Sequence, residues 1–332
     1  MSKISLHICA TPWNFLNSFV FASNRPEETS YLMYVDYPEH EDNIYLEALK
    51  NMGDTSPFKK AWCFHGKYKG AWQKWRKRLK EIEQIKQLIV ELKPDQVYVG
   101  SDRRIEFQCA MTEAVKHKPN VKGIYLDEGV FSYTCRKRSQ TWRDRVLDTW
   151  IKRLMYPCDW KHPITIGASD WISEGWLLQP ENACLFLKGK LQLNLIMPEL
   201  YKHTNLSNLL RYLFPKSETI LKNQYDALIL LPHPSQLTSK MKQAYKQQVQ
   251  AFNNVLIKAH PRNTEELDWL TTTADVLPAL VPLELFLPQI QTKKVISSQS
   301  TTLLTTKLMR SDMSVSVIDP ISSEFEKMLK KL

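Results

Sequence analysis

Apolar and polar positions alternate along the first part of the chain as they do in proteins with a parallel sheet. The alternation over 4–8 predicts a first buried strand. A helix is predicted over 79–92, because its apolar residues recur at intervals of three and four. The segments 96–102 and 123–129 are predicted as strands that end in polar residues. This succession of strands and helices is typical of an α/β domain.

The same alternation begins again at Tyr225, after a stretch from 157 that shows no clear pattern. Strands are predicted at 226–232, 253–261, 293–300 and 313–320, and helices at 238–252, 301–309 and the C-terminus. We therefore predict two Rossmann-like domains, 1–205 and 206–332, facing a central cleft. In such sheets ligands bind beyond the carboxyl ends of the strands.

The distribution of glycine limits the kind of nucleotide site that the chain can form. The 332 residues include nine glycines, all of which lie between Gly53 and Gly189. Neither a P-loop motif nor the G-x-G-x-x-G motif of dinucleotide-binding folds occurs. A phosphate site in the C-terminal part must therefore form without a glycine-rich loop.

The formal net charge of +10 and the pI of about 9.1 indicate an anionic partner. Basic residues and tryptophans are interleaved in two segments, 59–80 and 136–156. This composition suits an anionic membrane surface, where indoles lie at headgroup depth. It also suits single-stranded nucleic acid, or merely solvated helix faces with some tryptophans in the core.

The cysteines and the N-terminus bear on location. The six cysteines form no C-x-x-C motif, so free thiols in a reducing compartment are expected. The N-terminus makes a poor signal peptide, and the apolar runs are too short to span a bilayer. A cytoplasmic protein, peripheral at the inner face of a membrane, is the expectation.

An acid pair follows the strand predicted at 123–129. Asp127 and Glu128 alternate in direction, so one carboxylate can enter a cleft while the other anchors the loop, and Gly129 permits a sharp exit. A carboxylate in such a cleft can act as a general base. A solvated acidic turn is the alternative.

A histidine follows the strand that precedes residue 260. His260 is held by Pro261, and Lys258 stands two positions earlier, so both side chains could face one side. An imidazole there can donate a hydrogen bond to a leaving phosphate. His233 also precedes a proline and follows a strand, which makes it the second candidate, and a third His-Pro pair begins at His162.

Hydroxyls gather where the strand at 293–300 runs into the next helix. Ser297, Ser298, Ser300 and Thr301 surround a helix N-terminus, which is an anion site that needs no glycine. Ordinary helix capping by Ser300 or Thr301 is the alternative. Glu284, an acid within an apolar run, could accept hydrogen bonds from a ribose or serve as a first-turn acid of a helix.

The ordered set of D-E-G, K-x-H-P, P-x-E and S-S-x-S-T resembles the bacterial sialyltransferases of GT-B fold. The closest resemblance is to the capsular polysialyltransferases and the lipooligosaccharide sialyltransferases. It implies an acceptor-binding domain at 1–205 and a CMP-sugar-binding domain at 206–332. D-E-G departs from the D-D-G or E-D-G that related enzymes often carry.

The resemblance implies an inverting, metal-independent transfer of sialic acid from CMP-sialic acid to a glycan hydroxyl, without a cofactor. Asp127 would be the general base, with Glu128 structural or assisting, and His260 would support the departing CMP phosphate. The residues placed at the nucleotide are Lys258, Pro261, Glu284, Ser297, Ser298, Ser300 and Thr301. The same site could serve another CMP-activated sugar, such as Kdo or pseudaminic acid. A basic nucleic-acid-binding protein is the non-enzymatic alternative, although no nucleic-acid partner is expected.

Overall fold

A computed structural model describes residues 2–66, 68, 70–263, 267–270, 274–320 and 323–330. Lys67 and Lys69 of the predicted basic segment 59–80 lie outside the described residues, as does the side chain of Thr301. The chain divides into two compact units, Met1–Asn205 and Leu206–Leu332.

The first unit contains a seven-stranded parallel sheet in the order β3-β2-β1-β4-β5-β6-β7. Its strands are β1 (Ile4–Cys9), β2 (Thr29–Tyr34), β3 (Phe58–Cys63), β4 (Gln96–Val99), β5 (Lys122–Leu126), β6 (Ile172–Leu177) and β7 (Gln192–Leu195). The chain reverses direction across the sheet between β1 and β4, which is the point where doubly wound sheets bind ligands.

Seven α-helices accompany this sheet in the described part of the unit. They are α1 (Pro12–Ser23), α2 (Ile44–Met52), α3 (Ala71–Leu92), α4 (Ile105–His117), α5 (Val130–Thr134), α6 (Thr149–Met155) and α7 (Leu185–Lys188). Ile85 and Ile89 of α3 pack with Phe107 of α4 against the strands. The helix predicted at 79–92 begins earlier, at Ala71. Its first two turns face away from the core and carry no apolar stripe, so the sequence pattern does not reveal them.

The second unit contains a five-stranded parallel sheet in the order β10-β9-β8-β11-β12. The strands are β8 (Ala227–Leu230), β9 (Val255–Lys258), β10 (Asp275–Leu277), β11 (Lys294–Ser297) and β12 (Ser314–Val317). The helices are α8 (Thr204–Leu213), which begins just before the unit boundary, α9 (Ser217–Lys222), α10 (Ser239–Gln250), α11 (Thr301–Met309) and α12 (Ser323–Lys330). The predicted strands and helices are confirmed here with shorter bounds. Two Rossmann-like parallel sheets, as predicted, make up the molecule.

The stretch 157–225, which showed no pattern in sequence, contains two strands of the first sheet. In β6, Glu174 and Gly175 interrupt the apolar positions. The other strand, β7, lies at the edge of the sheet and leaves Leu195 exposed. An edge strand needs no buried apolar row, so the period that reveals central strands is missing from its sequence.

A disulfide joins Cys135 and Cys184, whose Cα atoms lie 5.4 Å apart. The expectation that every cysteine is free is therefore wrong for this pair. The two residues are separated by 49 positions, and no sequence motif marks them as partners. Among the described residues, no helix is both long enough and apolar enough to cross a bilayer.

Asp102, just after β4, holds the loop that leads back to β6. Its fully buried carboxylate accepts the backbone N–H groups of Gly167 at 2.8 Å and Ser169 at 2.7 Å. Gly167 has a φ of +85°, and a Cβ built there would come within 2.8 Å of the Tyr125 ring. The loop thus closes over Tyr125 only in the conformation that Asp102 stabilises.

We predict that Asp102→Ala lowers the free energy of unfolding of the first unit by about 3 kcal/mol, because two buried N–H groups lose their acceptor. Guanidinium denaturation followed by tryptophan fluorescence measures it, since all tryptophans except Trp269 lie in this unit. Asp170→Ala is the matched control, as that side chain is 77% exposed and forms a surface ion pair. Equal stability of the two variants would contradict the prediction.

Candidate functional site

Three neighbouring strands of the second unit place most of the predicted nucleotide residues at one edge. Because β9, β8 and β11 are parallel and adjacent, their carboxyl ends lie together. The register pairs Leu230 with both Lys258 and Ser297. His233 follows β8 and His260 follows β9 at this edge. The chain order of the strands also reverses direction between β8 and β11, so the topological switch point of this sheet lies at the same edge.

The structure brings His233 and His260 together. Their ring centroids are 5.0 Å apart, with the rings at 67° to each other. In each His-Pro turn, Nδ1 accepts the backbone N–H two residues later, from Ser235 and from Arg262, both at 3.1 Å. Proline has no N–H of its own, so the next one closes the turn.

This geometry sets the protonation of both rings. A neutral imidazole whose Nδ1 accepts a hydrogen bond carries its proton on Nε2. Burial lowers the pKa of His260 to about 4, and the charges of His233, Arg262 and Lys258 act in the same direction. No described residue bonds to Nε2 of either ring. His260 is thus a neutral N–H donor at pH 7, and His233 presents the same donor when neutral.

Lys258 does not extend out of this edge. Its buried Nζ donates to the carbonyl oxygens of Pro278 at 2.8 Å and Ala279 at 2.7 Å, and more weakly to Ala259. Burial lowers the pKa of this ammonium to about 7. The contacts fix the loop after β10 behind His260. The geometry gives Lys258 a positioning role at the predicted nucleotide site.

Glu284 lies in a single 3-10 turn, Leu283–Leu285, and is buried. Its Oε1 accepts the hydroxyl of Thr305 in α11 at 2.7 Å. Burial raises its pKa. The predicted contact with a ribose stays a prediction, and the observed contact joins this turn to α11, the helix whose N-terminus is the predicted anion site.

The serines after β11 divide between packing and capping. Ser298 is held by Tyr245 of α10, whose hydroxyl contacts the Ser298 Oγ at 2.7 Å and accepts its N–H at 2.9 Å. Ser300 caps α11 by accepting the N–H of Leu303 at 3.2 Å. Ser297 Oγ makes long contacts, 3.4 Å to the Leu230 carbonyl oxygen and 3.5 Å to Ser300 Oγ. Ser297 and Ser298 are buried, whereas Ser300 is partly exposed.

In the first unit, Asp127 follows β5 and is fully buried. Oδ1 accepts the Gly129 N–H at 2.7 Å and the Ser132 hydroxyl at 3.1 Å, and Oδ2 accepts the Leu178 N–H at 3.0 Å and the Tyr133 hydroxyl. Burial raises its pKa, against these hydrogen bonds. Asp127 holds the turn into α5, where Gly129 has the φ of +103° that the sequence suggested, and ties β5 to the end of β6.

Glu128 differs from Asp127 in its exposure and in its hydrogen bonding. It is partly exposed, and its carboxylate accepts no hydrogen bond from any residue in the described ranges. Burial of the carboxyl and the charge of Asp127 raise its pKa to about 8, with Arg104 opposing. Arg104 is itself paired with Asp36 at 2.6 Å. Of the two adjacent acids, Glu128 has the lone pairs free to accept a proton.

The family model of the alpha-2,8-polysialyltransferases matches residues 216–319. The chain is a glycosyltransferase, and residues 216–319 are similar to the polysialyltransferases. The match is less than half of the chain, but it includes His233, His260, Glu284 and Ser297, all of which lie at or beside the edge described above. The acid pair lies outside it. A comparison with curated proteins finds no match.

The chain is similar in fold to several solved structures. Glycyrrhiza uralensis UGT73P12, complexed with glycyrrhetinic acid 3-O-monoglucuronide, is 9% identical with a TM-score of 0.58, covering 100% of this chain and 79% of that chain. A UDP-glucosyltransferase from Polygonum tinctorium is 11% identical with a TM-score of 0.54, covering 100% and 83%. The UDP co-structure of S. aureus MnaA is 11% identical with a TM-score of 0.52, covering 98% of this chain and 81% of that chain. These likenesses confirm the GT-B fold.

Two residues of this edge were missed or undervalued from sequence. His233 ranked second because one His-Pro pair resembles another, although its position after β8 was a usable signal. Tyr245 lies in the helix predicted at 238–252. Nothing in a helical pattern shows that its hydroxyl holds Ser298, 53 positions away.

Proposed function

We propose that the chain is an inverting, metal-independent sialyltransferase that moves sialic acid from CMP-sialic acid to a glycan hydroxyl. The observation that carries the proposal is the pair of His-Pro turns, 5.0 Å apart by ring centroid, in the unit that matches the polysialyltransferases. The acceptor is a capsular polysaccharide or a lipooligosaccharide. No cofactor takes part.

The second unit would stabilise the leaving group. As the acceptor oxygen attacks the anomeric carbon, the bond from that carbon to the CMP phosphate breaks, and its electron pair stays on the phosphate oxygen. Nε2–H donors of His233 and His260 and the free N–H groups at the start of α11 suit the developing charge. These donors need no glycine-rich loop, and Ser297 adds a hydroxyl. They take the part that a metal ion plays in other transferases.

The first unit would supply the base. The resemblance places that role on Asp127, but its four hydrogen bonds leave no free lone pair directed to a substrate. We assign the proton transfer to Glu128, which takes the proton of the acceptor hydroxyl as the new bond forms. Asp127 then holds the turn that presents Glu128, and its negative charge raises the basicity of its neighbour.

The place of action we propose is the inner face of the bacterial inner membrane, with the enzyme as a cytoplasmic, peripheral protein. The net charge of +10 supports an anionic surface as partner. Acceptors such as lipooligosaccharide are themselves anchored in membranes, so an enzyme held at the surface would meet them at high local concentration.

Release of CMP tests the function. Purified protein incubated with CMP-sialic acid and sialylated, galactosyl or lipooligosaccharide acceptors is expected to form product, detected by mass, at the same rate with and without EDTA. Kdo and pseudaminic acid donors in the same assay test the alternative sugars. Absence of turnover with every donor and acceptor would overturn the proposal.

We predict that Glu128→Gln lowers kcat/KM by about 100-fold or more, the usual effect of losing a general base. The rate of the wild-type enzyme should rise with pH up to about pH 8, because the Glu128 carboxyl must lose its proton before it can accept another. The slope should vanish in the residual activity of Glu128→Gln.

Asp127→Asn is the matched variant, since it changes the adjacent acid by one isosteric group. We expect lower stability from it, because an amide cannot accept all four donors, together with a downward shift of the pH profile from loss of the neighbouring charge. Should Asp127→Asn abolish turnover at wild-type stability while Glu128→Gln retains it, the roles of the two acids would be reversed.

The histidine pair is predicted to act on the nucleotide rather than on the acceptor. His233→Ala and His260→Ala should each weaken CMP binding by about 10-fold to 100-fold, the effect of one hydrogen bond to a charged group. Isothermal titration with CMP measures this without any transfer reaction. His162→Ala is the control, because His162 also precedes a proline but belongs to the first unit, where its Nε2 contacts the Ser139 carbonyl oxygen. Unchanged CMP affinity in both pair variants would exclude the assignment.

A further inference from the structure

The helical stretch 143–155 of the first unit has its polar and apolar sides reversed relative to an ordinary surface helix. It consists of a π-helical turn, Arg143–Asp148, followed by α6. Asp144, Asp148 and Lys152 recur every four residues on the side that faces the protein. A surface helix normally buries its apolar stripe instead.

Ion pairs hold the inward side in place. Arg103 contacts Asp144 at 3.0 Å and Asp148 at 3.2 Å. Lys152 lies 3.0 Å from Asp148, and its Nζ sits 3.7 Å from the ring centroid of the fully buried Trp160. The helix is therefore fixed to the domain by charges that are largely shielded from water, which keeps the opposite side facing outward.

The outward side consists of large apolar residues. The most exposed are Trp142 at 67%, Trp150 at 64% and Leu154 at 73%, and they recur with Val146 at intervals of four. A second exposed row, one position along, contains Leu147, Ile151 and Met155. We call these seven residues the apolar face. Contiguous apolar surface of this kind on a protein marks a site of interaction.

The N-terminal turns of α3 extend the apolar face. Trp75 donates its indole N–H to the Met155 carbonyl oxygen at 3.1 Å. Trp72 packs on Trp75, with ring centroids 4.9 Å apart, and is itself 66% exposed. The other aromatics of the basic segment 59–80 turn inward, as Phe64 is buried and Trp62 stacks on Tyr31. Trp72 and Trp75 therefore join the apolar face, with Trp72 the more exposed of the two.

Exposed cations border the apolar face. Arg143 and Arg145 are exposed, and the side chains of Arg138 and Arg153 are 80% and 53% exposed. Cations around an apolar, tryptophan-bearing face complement a surface with anionic headgroups above a hydrocarbon interior. A protein partner or a second copy of the chain would need its own acidic rim to match.

We infer that the apolar face and Trp72 insert into the headgroup region of an anionic lipid membrane, with the surrounding arginines on the lipid phosphates. The inference deepens the proposed place of action by assigning it to one helix. It does not depend on the donor, because membrane binding is measured without donor or acceptor. Failure of sialyl transfer would therefore leave it standing.

Co-sedimentation with vesicles tests the inference on the full chain. We expect binding to vesicles of phosphatidylcholine and phosphatidylglycerol in equal amounts, much weaker binding to phosphatidylcholine alone, and weakening with salt. Leu154→Asp and Trp150→Ala should each reduce partitioning by about 10-fold or more, since one large apolar side chain is no longer inserted. Replacing Arg143 by alanine should cost about 5-fold.

Leu185→Asp is the matched control, because Leu185 is 80% exposed in the same unit but lies in α7, outside the apolar face. It should bind vesicles as the wild type does. All variants should keep the wild-type melting temperature, as the changed side chains face water. The inference would be overturned if the wild-type protein did not bind anionic vesicles, or if the variants of the apolar face bound them as well as the wild type does. So would sedimentation velocity showing a dimer that Leu154→Asp dissociates.

Discussion

The parallel register of β8, β9 and β11 is the constraint on which the candidate donor site depends. It puts the ends of three strands, far apart in sequence, within hydrogen-bond reach of one another. Leu230 illustrates this, because its backbone carbonyl accepts the Tyr245 hydroxyl and lies 3.4 Å from Ser297 Oγ. A shift of one residue in any of these strands would turn every one of its side chains to the other face.

That register also explains how the candidate donor site can form without a glycine-rich loop. In glycine-rich loops the bare backbone approaches the phosphate, and the loop conformation demands glycine. In the proposed mechanism, rigid His-Pro turns would instead bring side-chain donors to the phosphate. The Nδ1 contact that closes each turn also directs the proton to Nε2. One hydrogen bond thus gives each ring both its orientation and its donor.

The sequence predicts β1, β4, β5, β8, β9, β11 and β12, most of which are short apolar runs followed by polar residues, as at 226–232 and 293–300. It misses the edge strands β3, β7 and β10, and also β2 and β6, which lie inside the first sheet. Among the site residues, the pattern locates His260 and Ser297 at strand ends. It cannot show the 5.0 Å approach of His233 to His260 or the partner of Cys135, because both depend on packing between distant segments.

The acid pair shows why adjacent residues of one type cannot be given roles from spacing alone. Asp127 and Glu128 follow the same strand and differ by one methylene, yet their surroundings give the two carboxylates different hydrogen bonding. Backbone N–H groups of Gly129 and Leu178 meet the shorter side chain, because the turn and the neighbouring strand end place both donors within its reach. The Glu128 carboxylate accepts no hydrogen bond from the residues that the structure describes. Burial of the Glu128 carboxyl and the charge of Asp127 beside it both make ionisation costly, which raises the pKa of Glu128 to about 8. In the proposed mechanism, the structural carboxylate of Asp127 thus makes Glu128 a stronger base.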